Sequence, residues 1–449
     1  MRTESSKRLS AHWKILAILL LSLQPAYGIP AFARKYGLRC SACHEAWPML
    51  NNFGQTFKDN GYQLGNDRDA PINQDLSYWP IMFRTTPIWH RENNKRQAVD
   101  AIPGSATSGL VEKSVTTSGF DLEGLDVVTA GTLYKNISFF IQPFINDNSI
   151  NLSQAWVRLD RLAGSHWLNA KMGRFELDEP ISQERSLTLN NTGGTYYTYF
   201  FTPPGDHNFF GGIGGNQLGV ELQGHSDNDA TRYSVAGVTD SNGAGGLPAN
   251  QALDVYANFN QAFEVPRFGR QQIGLYGFLG ESPTYFQTTG GAPIPGTGTG
   301  NRSFYRVGAY GHWDVDTFDV YTFFLHGSDN VFLGNSVPAN QPALLPKGAV
   351  GPTWNGGFVE AHYNPKTRLI LLGKYELERM SRQANPSILS NAGNLDTWTI
   401  GYRWYPIMSP RAGLAWTQEY SRIVNAAATT VPAKDAIHSS YLMGFDFDF

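Results

Sequence analysis

Cysteine occurs at two positions only in this 449-residue chain, Cys40 and Cys43, and His44 follows directly to give Cys40-Ser41-Ala42-Cys43-His44. C-x-x-C-H is the spacing that attaches a c-type haem covalently. The two thiols suit thioether bonds to the haem vinyls, and the imidazole of the next residue can swing under the iron as proximal ligand. Cys40, Cys43 and His44 are therefore the cofactor-binding residues, His44 is both the iron ligand and the redox-active position, and one covalently bound haem c is the expected cofactor. A zinc site would need four Cys/His-type ligands, and no second C-x-x-C or paired-histidine motif supplies them.

The elements around the motif say where it works. Lys7, Arg8 and Lys14 precede an apolar run over residues 15 to 23, and Ala26-Tyr27-Gly28 puts small residues ahead of Ile29. This is the form of a secretory signal cleaved after Gly28. A transmembrane anchor needs about 20 apolar residues, more than this run offers. Export with a c-type haem points to the bacterial periplasm or beyond.

Composition narrows the class further. Charged residues make up 16% of the chain, aromatics 13%, and the formal net charge is -3; this balance argues against nucleic acid as a partner. After Leu23 no apolar stretch is long enough for a spanning helix. From residue 80 onward the chain instead breaks into segments of about ten residues with period-two alternation, the pattern of tilted transmembrane strands. Residues 253 to 259 alternate Leu253, Val255, Ala257 and Phe259 with Asp254, Tyr256 and Asn258, and the last segment alternates Tyr441, Met443, Phe445, Phe447 and Phe449 with Gly444, Asp446 and Asp448.

About 16 such segments fit, the first two at residues 80 to 90 and 124 to 133. Long connections at 91 to 123, 175 to 214, 281 to 301 and 327 to 354 alternate with tight ones at 135 to 136, 314 to 315 and 364 to 366, the third connection (146 to 151) being an exception. Outer-membrane barrels show this asymmetry, with short periplasmic turns and long extracellular loops. The expected fold is all-β, a transmembrane antiparallel barrel in the bacterial outer membrane, its outer face against lipid and both termini periplasmic. The expected domains are a signal peptide (1 to 28), a monohaem cytochrome c segment (29 to 76) and the barrel (77 to 449).

Residues 29 to 76 are too few for an independent core without help, and haem can supply much of it. Ala46, Trp47, Leu50, Phe53, Phe57 and Tyr62 read as a haem-packing set on a short helix and following turn. A barrel of this size leaves an aqueous lumen, so this α-helical segment is expected to plug the periplasmic mouth.

The segment Ile29-Pro30-Ala31-Phe32-Ala33-Arg34-Lys35-Tyr36-Gly37, running into Cys40 to His44, resembles the start of the fused monohaem cytochrome-porins, the outer-membrane iron oxidases of iron-oxidising bacteria. The order of parts is also similar: signal, one C-x-x-C-H, then a barrel to the last residue. The resemblance implies an iron(II):cytochrome c oxidoreductase, with extracellular Fe(II) as donor and a periplasmic cytochrome or other carrier as acceptor. Two further readings stand beside it: an electron conduit for another donor or acceptor, and a solute porin whose haem is structural or sensory.

The sixth iron ligand and the iron path are open in the sequence. Met49, expected on the same helix and haem face as His44, reads as a packing residue. His312 and His362 have inward parity, as do Glu360, Glu221, Asp254, Glu376 and Asp446. Polar lumen walls are the rule in such barrels, and as a group Glu360, His362, His312 and Glu221 offer a weak oxygen and imidazole path for a divalent cation.

Overall fold

The computed structural model describes residues 31 to 64 except 47, and most of residues 80 to 448. Residues 1 to 30, 65 to 79 and the distal parts of the long connections lie outside the described residues. The expected signal peptide falls there, as do the greater parts of the 281 to 301 and 327 to 354 connections.

Sixteen antiparallel strands form one closed barrel. They are β1 (Ile81–Asp100), β2 (Leu110–Tyr134), β3 (Ile137–Asn146), β4 (Ser149–Leu159), β5 (Asn169–Phe175), β6 (Gln217–His225), β7 (Thr231–Val238) and β8 (Asp254–Val265). The ring continues through β9 (Gly269–Pro283), β10 (Asn301–Val315), β11 (Phe318–Ser328), β12 (Thr353–Lys366), β13 (Leu369–Arg382), β14 (Leu395–Met408), β15 (Gly413–Asn425) and β16 (Ala436–Asp448). Each strand pairs with its chain neighbour, and β16 closes on β1 through pairs such as Leu442 with His90 and Asp448 with Arg84.

Period-two alternation orients the wall, because successive side chains of a strand point to opposite faces. On β14, Trp398 and Ile400 are 58% and 62% exposed on the outer face, whereas Thr397, Thr399 and Arg403 are buried inward. On β16, Leu442, Asp446 and Asp448 are buried inward and Phe445 faces out. An apolar exterior around a polar interior is the architecture of a transmembrane barrel. Among the described residues no helix is long and apolar enough to cross a membrane; the strands make the crossing.

Strands β1 and β2 differ from expectation. Residues 91 to 123, read as a loop, are largely paired as the far half of a long hairpin, with Asp100 opposite Leu110. Many of its side chains are exposed. With both faces wet there is no alternation to read, and a ladder made by backbone alone leaves no hydrophobic trace in sequence.

The segment before the barrel sits in the mouth bounded by the tight connections. It contains α1 (Ala31–Tyr36), the single turn α2 (Cys40–Cys43), and α3 (Asn52–Asp59). Asn51 caps α3, its side chain accepting from the Gly54 N–H at 2.9 Å. Gly61, at φ +80°, ends it, with the Tyr62 N–H donating to Phe57 O and the Gly61 N–H to Lys58 O, the paired bonds of a Schellman motif. This turn lays Tyr62 flat on Phe32, 5.0 Å between centroids, and 6.3 Å from Trp156 of the wall. Phe53, expected in the packing set, is 44% exposed instead.

Wall contacts lock the plug. The Cys40 thiol donates to Ser409 O in the β14–β15 turn, Thr56 Oγ1 to Asp229 Oδ2 in the β6–β7 turn at 2.6 Å, and Gln63 to Lys135 O beside the β2–β3 turn. Arg158 of β4, 1% exposed, donates to Lys58 O and Asp59 O at 2.8 and 3.1 Å, adding wall donors to the carbonyls at the α3 C-terminus. Its Nε holds Asp160 at 2.5 Å. Arg158→Ala strands a buried carboxylate and uncaps α3, so the docked plug should lose about 3 to 5 kcal/mol. Limited proteolysis should then cut within residues 31 to 64 while the barrel keeps its heat-modifiable mobility on gels; a plug as protected as in the unmodified protein would contradict this account.

Candidate functional site

Cys40, Cys43 and His44 border a largely apolar cavity of about 210 Å³, with Arg84, Asp126 and Asp448 also in its lining. Phe32, Leu50, Phe57 and Tyr62 of the plug line it, with Met82 and Phe140 from the wall. The single turn of α2 places both thiols together, and His44 turns extended (φ -120°, ψ 134°) immediately after it. His44 Nδ1 lies 3.2 Å from Pro48 O, a contact that sets the ring orientation, and in the tautomer that donates it Nε2 is the acceptor nitrogen. Asn51 ties α3 back to the motif: its N–H donates to Cys43 O at 3.0 Å and its side chain to Ala42 O at 3.0 Å. Burial, with Asp448 nearby, pushes the Cys40 thiol up to about 11, and burial raises Cys43 as well, so neutral sulfurs face this apolar space. Two thiols, a directed imidazole and an apolar cavity fit a covalently held haem.

His44 also borders a second, larger cavity of about 450 Å³. Here Glu45 of the plug meets His312 of β10 and Asp319 of β11, the nearest ligand atoms of the three all lying within 4.8 Å of one another. The tight turn between β10 and β11 sets this geometry by pairing Asp314 with Asp319 and His312 with Tyr321. His312 Nε2 is 3.6 Å from Asp319 Oδ1. Tyr321 stacks on the His312 ring at 4.3 Å and donates to Glu45 Oε2 at 3.3 Å. Burial and then the Asp319 carboxylate raise Glu45 to about 9.

Met49 is not helical with His44. Residues His44–Ala46 and Met49–Leu50 pair as two short extended pieces, and the Met49 sulfur lies against Tyr321 Oη at 3.3 Å, which makes it a packing residue by a different geometry. Of the expected lumen residues, only His312 joins the Glu45 cluster. His362 contacts Glu360 at 2.7 Å, Lys374 lies 3.6 Å from Glu360 and 3.1 Å from Glu376, and the His362 ring is 5.3 Å from Tyr321. Glu221 is paired with Lys171 and accepts from Ser234. Asp446 lies between Arg84 and Arg403, and Asp254 accepts from the Glu281 N–H. These groups are internally paired along the wall, and the structure does not gather them into one path.

Sequence reasoning missed Glu45 and Asp319. Asp319 carries the same inward parity as Tyr321, and Glu45 adjoins the haem motif, so each had a signal; their meeting depends on plug docking, which leaves none. The connection after β5, expected among the long extracellular loops, is not confined to the outside. Its described near end turns into the lumen: Phe175, Leu177 and Leu187 are buried, and Asp178 O accepts from Tyr256 Oη and Asn258 Nδ2. Glu176, Asp178 and Glu179 thereby line the larger cavity. Arg232 joins the two fillers of the lumen, pairing with Asp59 of the plug at 3.2 Å and with Asp178 at 3.4 Å.

No protein-family model matches the chain, and no curated protein does. Among solved structures it is similar to the outer membrane channel DcaP of Acinetobacter baumannii, with 10% identity over 82% of this chain and 97% of that one and a TM-score of 0.48. It is also similar to an anion-selective porin from Comamonas acidovorans (12% identity, 82% and 99% covered, TM-score 0.45) and to OprB of Pseudomonas putida (9% identity, 89% and 98% covered, TM-score 0.43). The barrel assignment stands on its own strand pairing and closure.

Gly54 is the tightest steric requirement of the motif. A Cβ there would collide with the Cys43 carbonyl, and no rotamer change relieves a clash with backbone. Gly54→Ala should push α3 off the Cys40–His44 turn at a cost of about 1 to 3 kcal/mol. A lowered plug melting temperature would show it; unchanged melting would mean the approach is looser than described.

Proposed function

We propose that this porin-like barrel is an outer-membrane electron conduit that oxidises extracellular Fe(II) and delivers the electron to a periplasmic carrier. The observation that carries the reading is the placement of Cys40, Cys43 and His44 inside the lumen, where His44 borders both an apolar cavity and a carboxylate-lined one. A c-type haem held there supplies a one-electron couple whose potential is set by axial ligand, burial and hydrogen bonding. Cys40 and Cys43 are the tethers, and His44, steered by Pro48 O, is the iron ligand. Phe32, Phe57, Tyr62 and Phe140 supply aromatic surface on the apolar side. On the other side Glu176, Asp178, Glu179, Asp314 and Asp319 outnumber the permanent cations Lys58 and Arg232, a field that concentrates cations.

Ferric iron precipitates near neutral pH, so a cell gains by taking in only the electron. The apolar band of such a barrel is about 25 Å tall, and a redox centre in the lumen shortens the tunnelling gap across it. With the tight turns periplasmic, the plugged mouth faces the carrier. The plug and the inward-turning segment after β5 both occupy the lumen, which favours electron over solute passage.

Stopped-flow mixing of purified protein with Fe(II) tests this. The expected result is fast growth of the reduced α and Soret bands; reduction by dithionite but not by Fe(II) points to another donor, and swelling of proteoliposomes in sugars points to a solute pore. Cys40→Ala or Cys43→Ala should remove normal two-bond haem attachment on haem-stained gels while the barrel still inserts. His44→Ala should keep some covalent haem but lose the low-spin spectrum and the reduction by Fe(II). An unchanged ferrous spectrum in that variant overturns the ligand assignment.

A further inference from the structure

We propose that Glu45, His312 and Asp319 form a binding site for one divalent transition-metal cation inside the lumen. The inference deepens the reading above by naming where the electron donor docks; the ion's role rests on that reading, but its binding does not. Three ligand atoms within 4.8 Å of one another are close to the span that one ion bridges with metal–ligand bonds of about 2.0 to 2.2 Å, so small side-chain rotations complete the contact. Imidazole and carboxylate donors together suit first-row divalent ions.

A second observation comes from the imidazole. His312 Nε2 is out of water and, with Asp319 Oδ1 3.6 Å away, makes no hydrogen bond, while stacking on Tyr321 fixes its ring plane. An unbonded nitrogen out of water is costly, and a metal ion in the adjoining cavity gives it a partner. Asp319, 7% exposed, is already oriented, because its Oδ2 accepts from Asn364 Nδ2 at 3.0 Å; Tyr321 Oη does the same for Glu45 Oε2. Metal ligands are usually held by such outer hydrogen bonds. The cavity of about 450 Å³ leaves room for the ion to keep several waters, so three protein donors suffice and binding stays weak enough for a substrate that must leave.

The competing occupant is a proton shared between Glu45 and Asp319, and a titration with Mn(II), monitored by electron paramagnetic resonance of the free ion, separates the two. The holoprotein should bind one Mn(II) per barrel in competition with Fe(II). His312→Gln with Asp319→Asn should weaken this at least about tenfold, with the haem spectrum unchanged, and Asp121→Asn on the exposed hairpin should leave it intact. If the double variant does not assemble, Glu45→Gln, which alters the plug and not the wall, should give the same loss. No stoichiometric Mn(II) on the unmodified protein, or full binding in a folded variant, overturns the site. Haem reduction by Fe(II) without Mn(II) binding would reject the site and leave the conduit standing; Mn(II) binding without haem reduction by Fe(II) would keep the site and reject iron as the donor.

Discussion

A chain that crosses lipid as strands has to close its hydrogen-bond ladder, because each unpaired backbone group in hydrocarbon costs several kcal/mol. Here the closure is the β16–β1 seam, and it divides every strand into a lipid face and a lumen face. Chemistry-bearing side chains can then only point inward. Closure at sixteen strands also makes a ring too wide for its own side chains to fill, so the lumen has room for an additional occupant. The N-terminal segment and the residues after β5 supply it, and Arg232 bridges the two through Asp59 and Asp178.

A short helix placed in such an interior brings its own problem: its last carbonyls have no partners within the helix. Arg158 resolves this from the wall while staying paired with Asp160. The wall charge that would be costly if left alone is thus used to seat the plug. A buried ion pair is weak evidence for net stability, but it is a strong constraint on register, since a slip of one residue along β4 would turn Arg158 out into lipid. Position of the plug and register of the barrel are therefore one specification.

Much of the barrel was legible because period-two alternation is written residue by residue, as in Trp398, Ile400 and Arg403 of β14. The tight turns were legible too, and they fixed strand pairing. The outer half of the β1–β2 hairpin was not, because water on both sides erases the alternation. C-x-x-C-H was legible from spacing alone. The Glu45 cluster was not, since it joins residues far apart in the chain across an interface created only when the plug docks, and neither Glu360 with His362 nor Glu221 could be told from Asp319 before their salt-bridge partners were placed.

The backbone between residues 44 and 49 shows why the local correction matters for chemistry. A helix continuing through Met49 would have set its sulfur about one turn from Glu45, on the same face. The segment His44–Ala46 is extended instead, and on extended backbone neighbouring side chains point to opposite sides. Glu45 accordingly lines only the acidic cavity among the two, whereas His44 borders the apolar one as well. One peptide bond thus separates the imidazole proposed as haem ligand, on the largely apolar cavity, from a carboxylate on the acidic one. Nothing but chain conformation is needed to keep an acidic cavity beside a largely apolar one, and a proposed donor site built on Glu45 lies as near His44 as covalent structure allows.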